Sequence, residues 1–246
     1  MQYIRNSVHR LVRSLGWEVQ RVSTQAKWRQ IDAEQKQLEQ WRFITRYCPN
    51  TVLDIGANEG QFATLTRKLL PGVQIHSFEP LKCCLDVLHN AAGSLQPIDI
   101  HPFALGSKSG STIIHRNGFS PSSSLLAMQE LHFSELPHTA QTTVEQIEVR
   151  RLDDLKLQLK GPLFIKIDVQ GFEMEVLNGA LRTIKEAAAI VLEISLFPLY
   201  SGAPSFDELY RFLTSECGLV YRGNIDQWVS PRDRRILQID CLFEKP

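Results

Sequence analysis

Four acidic residues stand where an apolar run of the sequence reaches its end. Asp54, Glu79, Asp168 and Glu193 each lie in or directly after a run of Val, Ile, Leu or Phe. A carboxylate in such a place can take up a proton, accept hydrogen bonds from a ligand or bind a hard cation. Because the carboxyl ends of parallel strands share one edge of a sheet, we expect these side chains to lie near one another.

The first acid precedes a turn that contains two glycines. Asp54 is followed by Gly56-Ala57-Asn58-Glu59-Gly60, after which Phe62, Leu65 and Leu69 have helical spacing. This predicts a strand, a tight turn and a helix, the first unit of a nucleotide-binding α/β domain. The turn lacks the middle glycine of a dinucleotide fingerprint, and its glutamate would repel a diphosphate. A ligand with a cationic amine and one carboxylate, such as S-adenosylmethionine, suits the turn better.

The second acid follows the next predicted strand. In residues 73–78, the β-branched Val73 and Ile75 alternate with polar residues before Phe78, and Glu79 and Pro80 end the run. A carboxylate about 20 residues beyond the glycine turn is the usual partner of a ribose diol. Such a carboxylate would serve NAD and S-adenosylmethionine equally, and the alternative is a solvated glutamate before a helix. A third strand ends at Phe103, which with Ala104 is a candidate for contact with an adenine ring.

A second chemical centre follows residues 163–167. This apolar strand leads into Asp168, a glycine turn and a helix that begins near Glu173. Asp168 is the first candidate for the general base, with Glu193 and Glu173 behind it. In the alternative interpretation, Asp168 caps the turn and Glu173 stabilises the positive end of its helix. Three histidines in less regular stretches are further candidates for the base: His115, His132 and His138.

The sequence contains no ligand spacing typical of a structural metal. Asp168 and Glu173 could together host a hard divalent cation. We nevertheless expect no metal, because no further candidate ligand stands at a recognisable spacing from Asp168 and Glu173.

Composition limits the function classes. The chain has 246 residues, 43% of them apolar, which is enough for one sizeable core. Its formal net charge is zero, so the whole protein offers no electrostatic reason to bind nucleic acid. The five cysteines form no C-x-x-C pair and are expected to be reduced. Without an 18-residue apolar run or a signal-peptide core, the sequence predicts a soluble, cytoplasmic protein.

The N-terminal stretch differs from the rest of the chain. Residues 1–30 contain six Arg or Lys side chains against one acid, and apolar residues fall on one helical face. A basic amphipathic helix can lie on an anionic membrane or contact a protein partner, or it can simply dock on the body. A polar helix is predicted over residues 31–47. We therefore divide the chain into an N-terminal helical extension, 1–48, and an α/β domain, 49–246.

Two later stretches predict further architecture. Residues 107–110 are rich in turn formers and precede a strand-like run, which predicts a hairpin. Residues 117–142 form a long irregular segment, in which the serines at 122–124 could cap a helix or contact a polar substrate. The last two strands, near 219–221 and 236–243, are joined by a short connection that favours an antiparallel pair.

In this order, the motifs resemble those of FkbM-type methyltransferases, a class I S-adenosylmethionine-dependent family. The matching segments are residues 54–60, 78–80, 122–125, 152–155 and 165–173. The resemblance covers roughly residues 50 to 243, and Ile165–Glu173 is its most specific part. Gln170 differs from the family pattern D-V-E-G, in which glutamate is more common at this position.

The resemblance implies a doubly wound, Rossmann-like α/β fold with a seven-stranded mixed sheet whose last strand is antiparallel. It implies that Asp54, Gly56, Asn58 and Gly60 hold the amino-acid end of S-adenosylmethionine and that Glu79 holds its ribose. The full set expected at the cofactor is Asp54, Gly56, Ala57, Asn58, Gly60, Glu79, Pro80, Phe103, Ala104 and Asp168. Family members are mostly assigned to O-methylation, often of sugars or hydroxylated natural products.

Two other functions compete with this one. An NAD(P)-dependent oxidoreductase would use the same kind of sheet, although the glycine turn disfavours it. A non-catalytic methyltransferase-like binding module would need neither the intact turn nor the carboxylates. The favoured partner is a small-molecule acceptor, a sugar or glycosylated metabolite, and the sequence leaves homo-oligomer formation open.

Overall fold

The computed structural model describes residues 17–117, 123–136, 139 and 142–246, and for residues 17–26 and 30 it describes the backbone alone. The chain divides into two compact units, with the division between Arg42 and Phe43. In the first unit, the described residues form one long helix, α1, Trp17–Trp41. A short 3-10 helix, Arg42–Tyr47, follows.

The helix α1 begins earlier than predicted. Sequence spacing placed its start near residue 31, whereas the backbone is already helical at Trp17. The segment from Trp17 to Trp41 contains neither Gly nor Pro, so nothing in it interrupts the helix. Most of the predicted basic helix of residues 1–30 lies outside the residues or side chains that the structure describes.

The second unit alternates strands and helices. Its described strands are β1 Thr51–Ile55, β2 Gln74–Phe78, β3 Ile98–His101, β4 Ala104–Leu105, β5 Gly110–Asn117, β6 Thr142–Arg150, β7 Leu163–Ile167, β8 Ala189–Ser195, β9 Val220–Val229 and β10 Ile236–Glu244. Its described α-helices are α2 Gln61–Leu69, α3 Lys82–Ala91, α4 Glu130–Glu135, α5 Glu173–Gly179, α6 Leu181–Glu186 and α7 Phe206–Arg211. This alternation is typical of a doubly wound α/β domain.

Seven strands form the main sheet, in the order β3-β2-β1-β7-β8-β10-β9. Neighbours from β3 to β8 are parallel, while β10 is antiparallel to both β8 and β9. The predicted fold class is therefore confirmed, including the antiparallel last strand. The strand order reverses at β1 and β7, the point at which such sheets bind ligands beyond the carboxyl ends of their strands.

A second sheet has the order β4-β6-β5. The predicted hairpin at residues 107–110 is wrong, because β5 pairs antiparallel with β6 from Gly110 opposite Val149 to Asn117 opposite Thr142. The preceding strand β4 has only two residues and pairs with β6 as well. The eight-residue β5 therefore forms a much longer ladder with β6 than it could form with the two-residue β4.

The main core lies on one face of the large sheet. Inward side chains of β1, β7, β8 and β10 pack there with α5, α6 and α7. The alternation along each strand places polar side chains on the opposite face, where Asp54 stands opposite Lys166 and Glu193 opposite Asp240. This face positions the charged groups of the candidate site.

The cysteines and the lengths of the helices are two further features of the chain. All five cysteines are free thiols, as their spacing predicted. None of the helices in the described part of the chain is both long and apolar enough to cross a membrane.

Candidate functional site

The turn after β1 needs glycine at two positions. Gly56 and Gly60 have φ of +83° and +88°, a region that favours glycine. A Cβ on Gly56 would lie 1.9 Å from the carbonyl oxygen of Asp168, and one on Gly60 would lie 2.5 Å from Leu88 Cδ1. The N–H groups of Gly56 and Ala57 both donate to the carbonyl oxygen at the end of β2, at 3.0 Å. The turn is thus fixed between the ends of β2 and β7.

Glu79 joins this turn to the end of β2. Its Oε2 accepts a hydrogen bond from the Asn58 N–H at 2.8 Å, and its Oε1 accepts one from the Leu81 N–H at 2.8 Å. The side chain is buried. Burial raises the pKa of Glu79 to about 7, although the two N–H donors oppose the rise. The structure therefore brings together the turn and the carboxylate that the sequence singled out separately.

Asp54 is fully buried beneath the turn. Ser77 Oγ donates to its Oδ2 at 3.5 Å, whereas Asp54 Oδ1 and Asn58 Oδ1 are buried without a hydrogen-bond partner among the described residues. Burial raises the pKa of Asp54 to about 6, and the nearby charge of Lys166 opposes the rise. Unpaired buried acceptors are costly, so the two oxygens favour a ligand rich in hydrogen-bond donors.

Asp168 lies next to a buried lysine and a second carboxyl. Its Oδ2 accepts from Lys166 Nζ at 2.8 Å, and its Oδ1 accepts from Gln170 Nε2 at 2.8 Å. The same amide nitrogen donates to Glu193 Oε2 at 2.6 Å. The Asp168 side chain remains 29% exposed, so a ligand can reach it. The predicted neighbourhood of Asp168 and Glu193 is therefore present.

The two carboxyls differ in acidity. Burial raises the pKa of Asp168, but the charge of Lys166 and the hydrogen bonds from Lys166, Gln170 and Glu193 together outweigh this effect, so that the pKa is lowered overall. Burial raises the pKa of Glu193 well above its usual value, and the charge of Asp168 raises it further. The pair therefore favours a state in which Asp168 is ionised and Glu193 keeps its proton.

A chain of hydrogen bonds lies behind Gln170. Its Oε1 accepts from the Tyr200 hydroxyl at 2.5 Å, and that oxygen lies 3.3 Å from His132 Nε2. His132 Nδ1 is 3.2 Å from Thr139 Oγ1. Ser124 Oγ donates to the Gln170 carbonyl oxygen at 2.6 Å. The segment after β5, the helix α4 and the loop after β8 thus converge on the turn after β7.

The other candidates for the base have different surroundings. His132 is buried behind Tyr200, and His115 forms an isolated β-bridge with Ser124. His138 lies outside the described residues. Glu173 is buried, and its Oε1 accepts from the N–H groups of Gly171 at 3.0 Å and Val169 at 3.3 Å. Burial raises the pKa of Glu173 to about 7. These hydrogen bonds fix the turn that precedes α5.

The candidates for the adenine contact are mostly covered by protein. Phe103 is buried, with its ring centroid 6.0 Å from that of Phe78 and 4.3 Å from the Arg150 guanidinium carbon. Ala104 is buried in a small cluster beside Leu81. They lie beyond β3, next to the strand that leads to Glu79 and Pro80.

Sequence reasoning missed three residues of this site. Lys166 had a signal, because a lysine within the apolar run 163–167 must be paired where it is buried. Ser124 was noticed only as part of a serine run, and Tyr200 had no local signal. Among the described residues, no three His, Cys, Asp or Glu side chains are grouped closely enough to hold a metal ion.

The chain is similar in sequence to known proteins. The sequence model of the family described as "Methyltransferase FkbM domain" matches residues 54–221. A curated relative, the 2-O-methyltransferase NoeI of Sinorhizobium fredii (strain NBRC 101917 / NGR234), is 29% identical over 179 residues, which cover 65% of this chain and 74% of the relative.

Solved structures share the fold. The chain is similar to an FkbM methyltransferase from Methylobacillus flagellatus KT, with 20% identity and a TM-score of 0.48 over 79% of this chain. It spans only 43% of that protein's length. It is also similar to a protein assigned as an O-methyltransferase from Klebsiella pneumoniae, with 12% identity and a TM-score of 0.51 over 86% of this chain and 80% of that one. The second likeness supports the seven-stranded fold described above.

Proposed function

The chain belongs to the FkbM family of methyltransferases, and we propose that it transfers a methyl group from S-adenosylmethionine to a hydroxyl group of a small molecule. The favoured acceptor is a sugar or another hydroxylated metabolite. The relative NoeI, a 2-O-methyltransferase, supports transfer to oxygen. Family membership favours this function over a nicotinamide-dependent oxidoreductase.

The observation that carries the proposal is the pair of unpaired buried oxygens, Asp54 Oδ1 and Asn58 Oδ1, beside the buried carboxyl of Glu79. An ammonium group offers three hydrogen-bond donors and a positive charge, which suit both oxygens and the Asp54 carboxylate. Each Glu79 oxygen has a lone pair beyond the one that accepts a backbone N–H, and these can accept from ribose hydroxyls. The residues present therefore fit S-adenosylmethionine.

Each part of the cofactor has its own residues in this proposal. Asp54, Asn58 and the glycine turn would hold the amino-acid end, and Glu79 the ribose. Contacts with the adenine end would come from the neighbouring segments: Pro80, Phe103 and Ala104. Asp168 borders the same turn through its carbonyl oxygen, which faces Gly56. The proposed site thus spans the carboxyl ends of β1, β2 and β7, as expected for this sheet topology.

The chemistry on the protein side is removal of a proton. Bound S-adenosylmethionine supplies an electrophilic methyl group, and transfer to an alcohol oxygen releases the proton of that alcohol. Asp168 accepts this proton, because it is partly exposed and Lys166 keeps it ionised. Glu193 stands beside it, and burial raises its pKa, which favours the protonated form that can donate a hydrogen bond. Positioning of the acceptor hydroxyl provides much of the remaining acceleration.

Thermal unfolding with and without S-adenosylhomocysteine, with NADH in parallel, tests the cofactor assignment. A ligand at about 100 times its dissociation constant adds roughly 2.7 kcal/mol of stability. For a chain of this size, that corresponds to a rise in Tm of roughly 5–11 °C. We expect a rise with S-adenosylhomocysteine alone. A rise with NADH alone would overturn the proposal. In that case there would be no reason to assay transfer of a labelled methyl group to a panel of sugars.

A further inference from the structure

Gln170 lies where Asp168, Glu193 and Tyr200 come together. Its amide nitrogen donates to Asp168 Oδ1 at 2.8 Å and to Glu193 Oε2 at 2.6 Å, while its amide oxygen accepts from the Tyr200 hydroxyl at 2.5 Å. A primary amide has two N–H donors, so one hydrogen is available for each carboxyl. Gln170 therefore joins the two acids through one planar group.

The orientation of this amide is determined by its neighbours. If the group were turned over, its oxygen would face two carboxyl oxygens and its nitrogen would face Tyr200. The two carboxyl oxygens disfavour this arrangement, and the Tyr200 hydroxyl favours the observed one because it donates to Gln170 Oε1; the hydroxyl oxygen also lies 3.3 Å from His132 Nε2. The contact of His132 Nδ1 with Thr139 Oγ1 at 3.2 Å holds the imidazole in place. Tyr200 is 1% exposed, so water does not compete for this bond.

The backbone that carries Gln170 is held as firmly as its side chain. Gln170 has a positive φ of 55°, which is uncommon for a residue other than glycine. Its carbonyl oxygen accepts from Ser124 Oγ at 2.6 Å, and the next N–H, from Gly171, donates to Glu173 Oε1 at 3.0 Å. An unfavourable backbone conformation held by two side chains indicates that the position of this amide matters.

We propose that Gln170 is a positioning residue that keeps Asp168 ionised and aimed at the acceptor, and that Tyr200 sets the orientation of its amide. The physical reason is that a hydrogen-bond donor to a carboxyl oxygen stabilises the charged form over the neutral one. Only the role of Asp168 as the base rests on the proposed function. The effect of Gln170 on the ionisation of Asp168 is a property of the protein alone.

Other groups also act on Asp168, and the test must separate them. The charged or titratable groups that face it are Lys166 on β7, Asp54 on β1, Glu79 after β2, Glu173 on α5, Glu193 on β8, Tyr200 in the loop after β8, and Asp240 on β10. Burial raises the pKa of Asp168, whereas the charge of Lys166 and the hydrogen bonds from Lys166, Gln170 and Glu193 lower it. Substitution of Gln170 leaves all these groups in place.

Carbon-13 NMR titration of the side-chain carboxyls tests the inference directly. Signals are assigned with Asp168→Asn and Glu193→Gln, and titrations are compared for the wild type, Gln170→Leu, Gln170→Glu and Tyr200→Phe. We expect the apparent pKa of Asp168 to rise by on the order of one unit in Gln170→Leu, which loses the donor. Gln170→Glu should raise it further, because a third carboxyl joins the pair. Tyr200→Phe should raise it less, since the amide oxygen loses the donor that favours its orientation while both contacts of the amide nitrogen remain.

Gln238→Leu is the matched control. Gln238 donates to Glu193 Oε2 at 3.0 Å and to Ser195 Oγ at 3.3 Å, so its loss should alter the titration of Glu193 and shift that of Asp168 less than Gln170→Leu does, through the coupling of the two carboxyls alone. An unchanged Asp168 titration in both folded Gln170 variants would overturn the inference. If these variants do not fold, Tyr200→Phe decides the matter, because it removes a single oxygen atom. Calorimetry of the wild type with S-adenosylhomocysteine tests the proposed function separately, since failure to bind would leave the NMR result standing.

Discussion

Glu79 is the single residue on which the proposed cofactor site depends most. Its two oxygens are held by the N–H groups of Asn58 and Leu81, which leaves further lone pairs for the ribose. Glu79→Gln replaces one acceptor with a donor of the same size. Because hydrogen bonds to charged groups contribute about 1.5–3 kcal/mol, we expect calorimetry to show a loss of affinity for S-adenosylhomocysteine of roughly 10- to 100-fold. Glu186→Gln, on the surface, should leave affinity unchanged.

The raised pKa values of Asp54 and Glu79, about 6 and about 7, predict proton-linked binding. In the free protein, the stability that these protonated groups contribute is complete below pH 4 and is lost as pH rises through 6 and 7. A ligand with an ammonium and hydroxyl donors favours both ionised forms. Binding of S-adenosylhomocysteine should therefore release protons between pH 5 and 7, and affinity should rise with pH over that range.

Calorimetry in two buffers of different ionisation enthalpy measures this proton release. Glu79→Gln should reduce the number of protons released, since Glu79 has the higher pKa of the two. Proton uptake on binding, or affinity that falls as pH rises, would contradict the assignment of these carboxyls to the ligand.

At this scale, the sequence could predict those residues whose position follows from topology. Asp54, Glu79, Asp168 and Glu193 stand at strand ends, and the ends of parallel strands share an edge. The partner of Gln170 could not be predicted in this way. Tyr200 lies 30 residues further along the chain, in a loop whose path depends on tertiary packing.

Among the elements, the turn between β1 and α2 gives the sharpest prediction. Gly56 and Gly72 have almost the same φ, +83° and +86°, but a Cβ at Gly72 would have no neighbour within 4 Å. Gly72→Ala should cost about 1 kcal/mol of unfolding free energy, from the backbone conformation alone. Gly56→Ala should cost more, about 3 kcal/mol or above, because its Cβ would lie 1.9 Å from the carbonyl oxygen of Asp168.

Urea unfolding of the two glycine variants measures the difference, and calorimetry with S-adenosylhomocysteine measures its functional effect. Gly56→Ala should also lose binding, because it displaces both the turn and Asp168, whereas Gly72→Ala should bind as the wild type does. Equal destabilisation of the two variants would contradict the close approach of Gly56 to β7.

The elements themselves were predictable where local signals agree. β1, β7 and β8 are buried and largely apolar runs, so their sequence pattern and their environment match. In β2, the buried Ile75 and Phe78 precede Glu79 and Pro80, which end the strand. The pairing of β5 was not predictable from a turn-rich segment. A ladder depends on which strand of sufficient length lies alongside, and for β5 that strand is β6, which begins more than 20 residues further along the chain.

At the scale of the whole molecule, the position of the domain boundary has physical consequences. The sequence predicted a boundary after residue 48, whereas the compact unit begins at Phe43. Residues 43–47 contact the sheet, since the rings of Phe43 and Tyr47 lie 6.3 and 5.9 Å from that of Phe164. The Tyr47 hydroxyl and the Arg46 guanidinium both bond to Glu244, on the last strand. We therefore expect this short segment to belong to the catalytic unit.

Two shortened chains test that expectation, one beginning at residue 43 and the other at residue 49. The chain from residue 43 should unfold cooperatively and bind S-adenosylhomocysteine. The chain from residue 49 should be less stable by about 3 kcal/mol or more, because Phe164 loses two aromatic neighbours and Glu244 loses two of its partners. Tyr47→Phe in the longer chain isolates the hydroxyl and should account for only part of the difference. If urea unfolding gave both chains the same stability, the segment 43–48 would belong with the N-terminal extension, as the sequence pattern first indicated.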